Sequence, residues 1–554
     1  MKLIKFKIGK TNEGFRSLDS GFEVCFHASD NLSTMREFNP FCFVGLNGSG
    51  KSNVLEALSA IFYHLELCVA RYKPQIFEEH FDSKICSPNA FVLEYLICPQ
   101  GFDVNIEENW YKVSINKDEG TEPIMNIFRF PFDKSDNKRI RIIPSSIKDE
   151  LAEAKKYLPN HIVAYSSGEN EILSLPYTKS RLVHLDEYKQ STEKSYKEYT
   201  EPENSLIYID NNMSQAVLLS CLLFENKEAL EPIIKEVGIV DIRSFTISIA
   251  LQKFDFQKRN NTERNILSIL ESNQLDKLKR CATSWYSNDE LLLLDFYVTD
   301  ATKKAFKDNF SSSFELFQLF RLLYELNSHF ISNEIKEEVY QSKGFYTNHK
   351  LPVGSPDQDV FHFLDFKILK RLKEDNNEVK ELLLKEFSDG EHQFLHTIGI
   401  CLMLKNKSAL FFLDEPETHF NPGWRSRFIS LLKDGLNKSG TNHLLKEIII
   451  TSHSPFVISD CYPDKVIVFE KGKQPVNAYE SGIDTFGSSV NILTNKIFKQ
   501  KNTIGKHALD KVDEFRRRAG LKEENKDLLI QEINNALGDS IEKLLLIKEI
   551  TNDI

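Results

Sequence analysis

The chain has 554 residues, a net charge of −11 and 41% hydrophobic residues, enough to bury a large core. The acidic balance argues against a surface that coats nucleic acid uniformly, while leaving room for a local basic groove. Phe is abundant at 41 residues and Gly and Pro are ordinary, which excludes a low-complexity chain.

Residues 1–174 read as a β-rich lobe wrapped around one helix. The alternation Met1-Lys2-Leu3-Ile4-Lys5-Phe6-Lys7-Ile8 predicts a strand rather than a secretion signal. Further strands are expected at 22–26, 41–44, 91–97, 110–115 and 162–165. The charged stretch 133–141 is expected as a surface loop. After the strand at 41–44 comes Gly45-Leu46-Asn47-Gly48-Ser49-Gly50-Lys51-Ser52, which is GxxxxGK[ST]. A helix-like run follows it, and strand, glycine turn and helix is the setting this motif needs. Backbone N–H groups at Asn47, Gly48, Ser49 and Gly50 would converge on phosphate, helped by the helix N-terminus. Lys51 would reach the β and γ phosphates of ATP, and Ser52 would ligate Mg²⁺.

Residues 175–385 change pattern. Helical apolar spacing is read at 214–223, 266–275, 314–326 and 361–384, so a mainly helical insertion is expected. It holds no sustained heptad array, which excludes a long coiled-coil arm.

The α/β pattern resumes at 386–502, with strands expected at 409–413, 447–450 and 465–470 and a helix at 428–436. The apolar run Leu410-Phe411-Phe412-Leu413 ends in Asp414-Glu415. Asp414 would bind Mg²⁺, and Glu415 would polarise the attacking water. Adjacent strand residues point in different directions, so the two carboxylates can divide these duties. Residues 503–554 are charged and helix-prone, with Arg516-Arg517-Arg518 as a basic patch that could dock a partner. No apolar run is long enough to span a bilayer. The 9 cysteines are scattered without a CxxC pair. Reduced thiols and a cytoplasmic location are therefore expected.

The order of phosphate loop, Ser388-Asp389-Gly390-Glu391, Asp414-Glu415 and Thr451-Ser452-His453-Ser454 resembles an ABC-type ATPase of the RecF/SMC/OLD-like branch. The resemblance implies an α/β ABC-type ATPase head with a β-rich N-terminal lobe, a helical insertion and a helical C-terminal tail. It also implies that Ser388 and Gly390 press against the γ-phosphate held by another subunit, in a homodimer or higher homo-oligomer. His453 matches the family's switch histidine. Asp389 departs from the usual signature glycine, and no residue matches the glutamine that links nucleotide to substrate. Tyr165-Ser166-Ser167-Gly168-Glu169-Asn170 looks like a second signature but comes too early, and is expected to be a loop at a strand end.

Within that branch the chain resembles the PtuA-like ATPases of bacterial anti-phage systems, Septu and its retron-associated relatives. Length, a helical middle, and Phe486-Gly487-Ser488-Ser489-Val490 ahead of a helical tail carry this likeness. It implies control of a separate HNH nuclease (PtuB-like), and in retron versions association with a reverse transcriptase and single-stranded DNA–RNA. DNA itself is a further candidate partner. The chain has no HNH constellation of its own, and beyond His453 it lacks the carboxylates of a Toprim nuclease. An ATPase of DNA repair or chromosome maintenance, and an ATP-binding scaffold with little turnover, stay open as alternatives.

Overall fold

The computed structural model describes the chain apart from residues 12, 28–30, 134, 147–149, 169, 194–204, 211–212, 252–270, 289, 343–350, 352–358, 373–377, 501, 522–524 and 553–554. Its strands in chain order begin with β1 (Lys2–Ile8), β2 (Glu23–Cys25), β3 (Phe41–Gly45), β4 (Phe91–Ile97), β5 (Tyr111–Lys117), β6 (Ile124–Arg129) and β7 (Asn137–Arg141). Then come β8 (His161–Ser166), β9 (Leu206–Tyr208), β10 (Ile239–Ala250), β11 (Ser284–Ser287), β12 (Leu291–Tyr297), β13 (Phe361–Arg371) and β14 (Val379–Leu383). The last four are β15 (Ala409–Asp414), β16 (Lys446–Thr451), β17 (Val466–Phe469) and β18 (Val476–Asn477).

They form three sheets. The central one has the order β18-β17-β3-β16-β15-β8-β9 and is parallel except for the β17–β18 pair. Its strands alternate between two covered faces, as a parallel sheet requires. Leu410 and Phe412 of β15 join Phe41, Phe43 and Ile449 against the helix α1 (Lys51–Val69) and the N-terminal sheet. Phe411 and Leu413 join Cys42, Val44 and Ile450 against the helices Ser214–Phe224, Asp389–Met403 and Phe428–Lys438.

The N-terminal sheet is antiparallel, in the order β2-β1-β4-β5-β6-β7. The third sheet, β11-β12-β10-β13-β14, is also antiparallel. One of its faces packs through Phe245, Phe296 and Phe363 onto the helix Ser313–Leu326 and its neighbours. This sheet adds five strands to the stretch 175–385, expected to be mainly helical, whose described residues still hold more helix than strand. The predicted helix at 361–384 is the hairpin strands β13 and β14 on its described residues. Phe361, Phe363, Phe366 and Ile368 are the buried positions. The register of β13 slips between Leu364 and Lys367, beside Asp365 at φ 47, so the buried face changes phase. The resulting i, i+2, i+5, i+7 spacing imitates a helix.

Two further expectations change. The loop expected at 133–141 contains the edge strand β7, where only Ile140 is buried. A charged edge strand reads as a loop because its polarity is what protects it from pairing. The helix expected at 266–275 falls largely outside the described residues, and Glu271–Cys281 is helical. The other predicted strands and helices are present with ends shifted by one or two residues.

The tail folds on itself as the helices Lys506–Ala519, Lys526–Ala536 and Ile541–Asn552, around Val512, Phe515, Leu529, Ile533, Leu546 and Ile550. No helix among the described residues is long and apolar enough to cross a membrane.

Candidate nucleotide site

The parallel sheet brings the carboxyl ends of β3, β15, β16 and β8 to one edge, where open α/β sheets bind ligands. The glycine loop runs from the end of β3 into α1. Gly45, Gly48 and Gly50 have φ of 145, 73 and 100, a region that favours glycine. At Gly45 a Cβ would lie 2.3 Å from the Phe469 carbonyl oxygen, so a side chain is also excluded by space. Lys51 folds back over the loop and donates to the carbonyls of Gly45 and Leu46, both at 3.1 Å. Ser49 Oγ is buried in the loop without a hydrogen-bond partner. That orphaned hydroxyl, the glycine backbone and the buried ammonium together fit a bound phosphate chain.

Ser52 and Asp414 are 362 residues apart and meet directly, with Ser52 Oγ donating to Asp414 Oδ1 at 2.8 Å. Thr451 Oγ1 donates to the same oxygen at 2.7 Å. Asn170 Nδ2 donates to Asp414 Oδ2 at 2.9 Å. The hydroxyls of Ser52 and Thr451 and the Asp414 carboxylate are hard oxygen donors, a set that fits Mg²⁺, while Asn170 turns its amide nitrogen to the carboxylate.

Glu415 sits in the left-handed region at φ 50. Its backbone N–H donates to Thr451 Oγ1 at 3.0 Å, which turns its side chain away from that of Asp414 and toward His453. Glu415 Oε1 lies 3.6 Å from His453 Nε2. Burial and the neighbouring Asp414 push the Glu415 carboxyl up, against the pull of Lys51. Burial, then Lys51, lowers His453 to about 4, so its imidazole is neutral at pH 7. A neutral ring beside a half-exposed carboxylate can hold a water and move a proton.

Ser388 and Gly390 stand apart from this cluster. Among the described residues, neither makes a hydrogen bond to the phosphate loop or to Asp414. Ser388 is exposed at the N-terminus of the helix Asp389–Met403 and forms a capping box with Glu391. Gly390 is buried, and a Cβ there would lie 2.7 Å from the His419 carbonyl oxygen.

Several neighbours carry no sequence signal. Asn170 is in the early signature-like segment, which is indeed a loop after β8; Glu169 within it lies outside the described residues. Arg16, at φ 53, ion-pairs with the buried Glu56 of α1 at 3.2 Å. Beside it Ser17 Oγ donates to the Asn53 side-chain oxygen at 2.6 Å, which lays the 15–18 turn over the first turn of α1. Glu417 is buried three residues past Asp414 and accepts a hydrogen bond from Ser452.

Residues 239–459 match the family model described as "AAA domain, putative AbiEii toxin, Type IV TA system". That stretch holds Ser388, Asp414, Glu415 and His453 but not the phosphate loop. Protein ea59 of Escherichia phage lambda is 28% identical over 121 residues, which is 22% of this chain and 22% of that protein. The chain thus spans about a fifth of the length of the curated relative it matches. An Smc head, solved bound to the C-winged helix domain of ScpA, is similar at a TM-score of 0.32 and 11% identity, covering 87% of this chain and 100% of that one. Residues 239–459 are thus similar to an AAA-type ATPase domain.

Proposed function

We propose that ATP is bound and cleaved at the edge where β3, β15, β16 and β8 end. The observation that carries this reading is the meeting of Ser52 and Asp414 beside the glycine loop. Asn47, Gly48, Ser49 and Gly50 cradle the phosphates, and Lys51 leaves its carbonyl partners to contact the β and γ oxygens. Ser52 and Asp414 hold Mg²⁺, which when bound neutralises charge on those oxygens. Glu415 polarises the attacking water and His453 orients it. Ser388 and Gly390 face the nucleotide of a second copy of the chain, which makes the working form a homodimer or larger.

We further propose a cytoplasmic ATPase that controls a separate HNH nuclease in anti-phage defence. The motif order supports this, as does the mention of a toxin system in the matched family's description. The tail supplies a surface for a protein partner, because Leu528, Ile541, Leu544 and Leu545 are exposed on it. Reverse transcriptase and single-stranded DNA–RNA would be further partners in a retron setting. The family description favours a second reading, a toxin that acts without a nuclease.

Expression in cells separates the two. Growth arrest that needs an intact Asp414 and no second protein supports the toxin. Harmless expression, with a nuclease recovered on native purification, supports the controlled nuclease. Failure of the purified chain to bind Mg²⁺-ATP, with Asp414→Asn behaving like wild type, would reject the site itself.

A further inference from the structure

We propose that Glu417 is a positioning residue: through Ser452 it holds the turn that carries His453 against Glu415. The inference rests on the nucleotide site proposed above.

Glu417 is 4% exposed and Ser452 is fully buried. Ser452 Oγ donates to Glu417 Oε1 and accepts from the Ser454 backbone N–H at 3.0 Å. The Ser452 backbone N–H donates to the Phe43 carbonyl, also at 3.0 Å, which anchors the turn to the strand that enters the phosphate loop. On its other side the turn is tied through Thr451 to Asp414 and to the Glu415 backbone. His453 therefore sits between two fixed points. One is the metal carboxylate and the other is Glu417.

Glu415 and Glu417 lie on one short turn that Arg425 braces by donating to the carbonyls of Glu417 and Thr418. The frame thus sets the 3.6 Å separation of His453 and Glu415. A carboxyl group is a costly choice for a buried position unless its hydrogen bond does something an apolar side chain cannot. Here Glu417 Oε2 has no partner, so Ser452 is the side-chain contact that the carboxyl serves. Burial pushes the Glu417 carboxyl up to about 7, which keeps much of it neutral and lets glutamine imitate it.

The test compares Glu417→Gln, Glu417→Met and Ser452→Ala by equilibrium ATP binding and single-turnover hydrolysis. Glutamine keeps the acceptor oxygen, and alanine at 452 removes the donor from the other side with little change of volume. The expected result is unchanged nucleotide affinity in all three. Hydrolysis falls by about 10- to 10²-fold in Glu417→Met and Ser452→Ala, as misplaced groups lose rate. Glu417→Gln keeps the wild-type rate, and Glu417→Met/Ser452→Ala is no slower than the slower single variant. A wild-type rate in folded Ser452→Ala, a glutamine variant as slow as methionine, or multiplying defects would each overturn the proposal. Wild-type chain that binds no ATP would remove the site and this inference together, whereas normal turnover in every variant would remove this inference alone.

Discussion

Glu415 holds its position at φ 50, a backbone region that costs a non-glycine residue about 1–3 kcal/mol. Two hydrogen bonds from its N–H to Thr451 offset that cost and aim the carboxylate at His453 rather than at Ser52. The proposed division of labour between Asp414 and Glu415 would rest on this backbone geometry. Glu415→Gln is expected to bind ATP normally and to slow cleavage by about 10²–10⁴-fold, because one general base is lost. Normal single-turnover cleavage by that variant would remove Glu415 from the role. Asn170→Ala makes a different prediction. It strips a donor from Asp414 Oδ2 and leaves the phosphate loop intact, so the Mg²⁺ concentration for half-maximal hydrolysis should rise by about 10- to 100-fold. The two carboxylates and the glycine loop were legible because each is spelled out in consecutive residues. Asn170 was not, since its role arises only when β8 pairs with β15 and sets Ser166 beside Asp414.

At the scale of elements, β16 shows how buried charge can tie a sheet together. Glu447 accepts from the backbone N–H of Leu3 at 2.9 Å and from His27 at 3.0 Å, and it pairs with Lys2. Burial raises its pKa, but Lys2 and His27 overcome this and hold it at about 2, against an ordinary 4.5. Burial also lowers Lys2 and His27, so the whole cluster stabilises by less than Glu447 alone suggests. The sign for Glu447 is that of a depressed acid. Its contribution is present above about pH 4.5 and is lost as the pH falls toward 2. Glu447→Gln should cost about 3–5 kcal/mol near neutrality, because Lys2 stays buried without its charge partner. It should also flatten the acid limb of a stability-versus-pH curve, and an unchanged limb would assign acid unfolding to other groups. The central sheet was readable because both its faces are covered and its strands are plain apolar runs. The β13 hairpin was not, because one bulge shifts the phase of its buried face. Likewise, Gly390 reads as a signature residue in sequence, while in the fold it also gives room to the His419 carbonyl. Gly390→Ala is therefore expected to cost about 1–3 kcal/mol of stability by overpacking, seen as a lower Tm even without nucleotide.

For the whole molecule, the placement of Ser388 decides how many chains make one site. It is exposed at a helix N-terminus and has no bond to the loop of its own chain. A site completed from outside would account for both facts, with the N-terminal dipole of that helix directed at a neighbour's phosphate. The tail is a weaker source of anion contacts than its sequence suggests. Arg516 bonds Asp513 and Glu549, and Arg518 bonds both oxygens of Glu532. Deleting residues 503–554 should therefore leave the salt dependence of any nucleic-acid binding unchanged, and a shallower slope would return the arginines to that role. The composite site can be tested by complementation. Lys51→Ala spoils the loop of its own chain, and Ser388→Arg spoils the face it would present to a partner. Each variant alone should form dimers with no intact site. Mixed in equal amounts, random pairing makes about half of the dimers heterodimers, each with one intact site of two, so about a quarter of wild-type activity should return. Recovery must depend on subunit exchange and grow with mixing time. If both variants dimerise and exchange subunits yet the mixture stays inactive, or if Ser388→Arg keeps full activity as a monomer, each chain completes its own site and the paired arrangement is wrong.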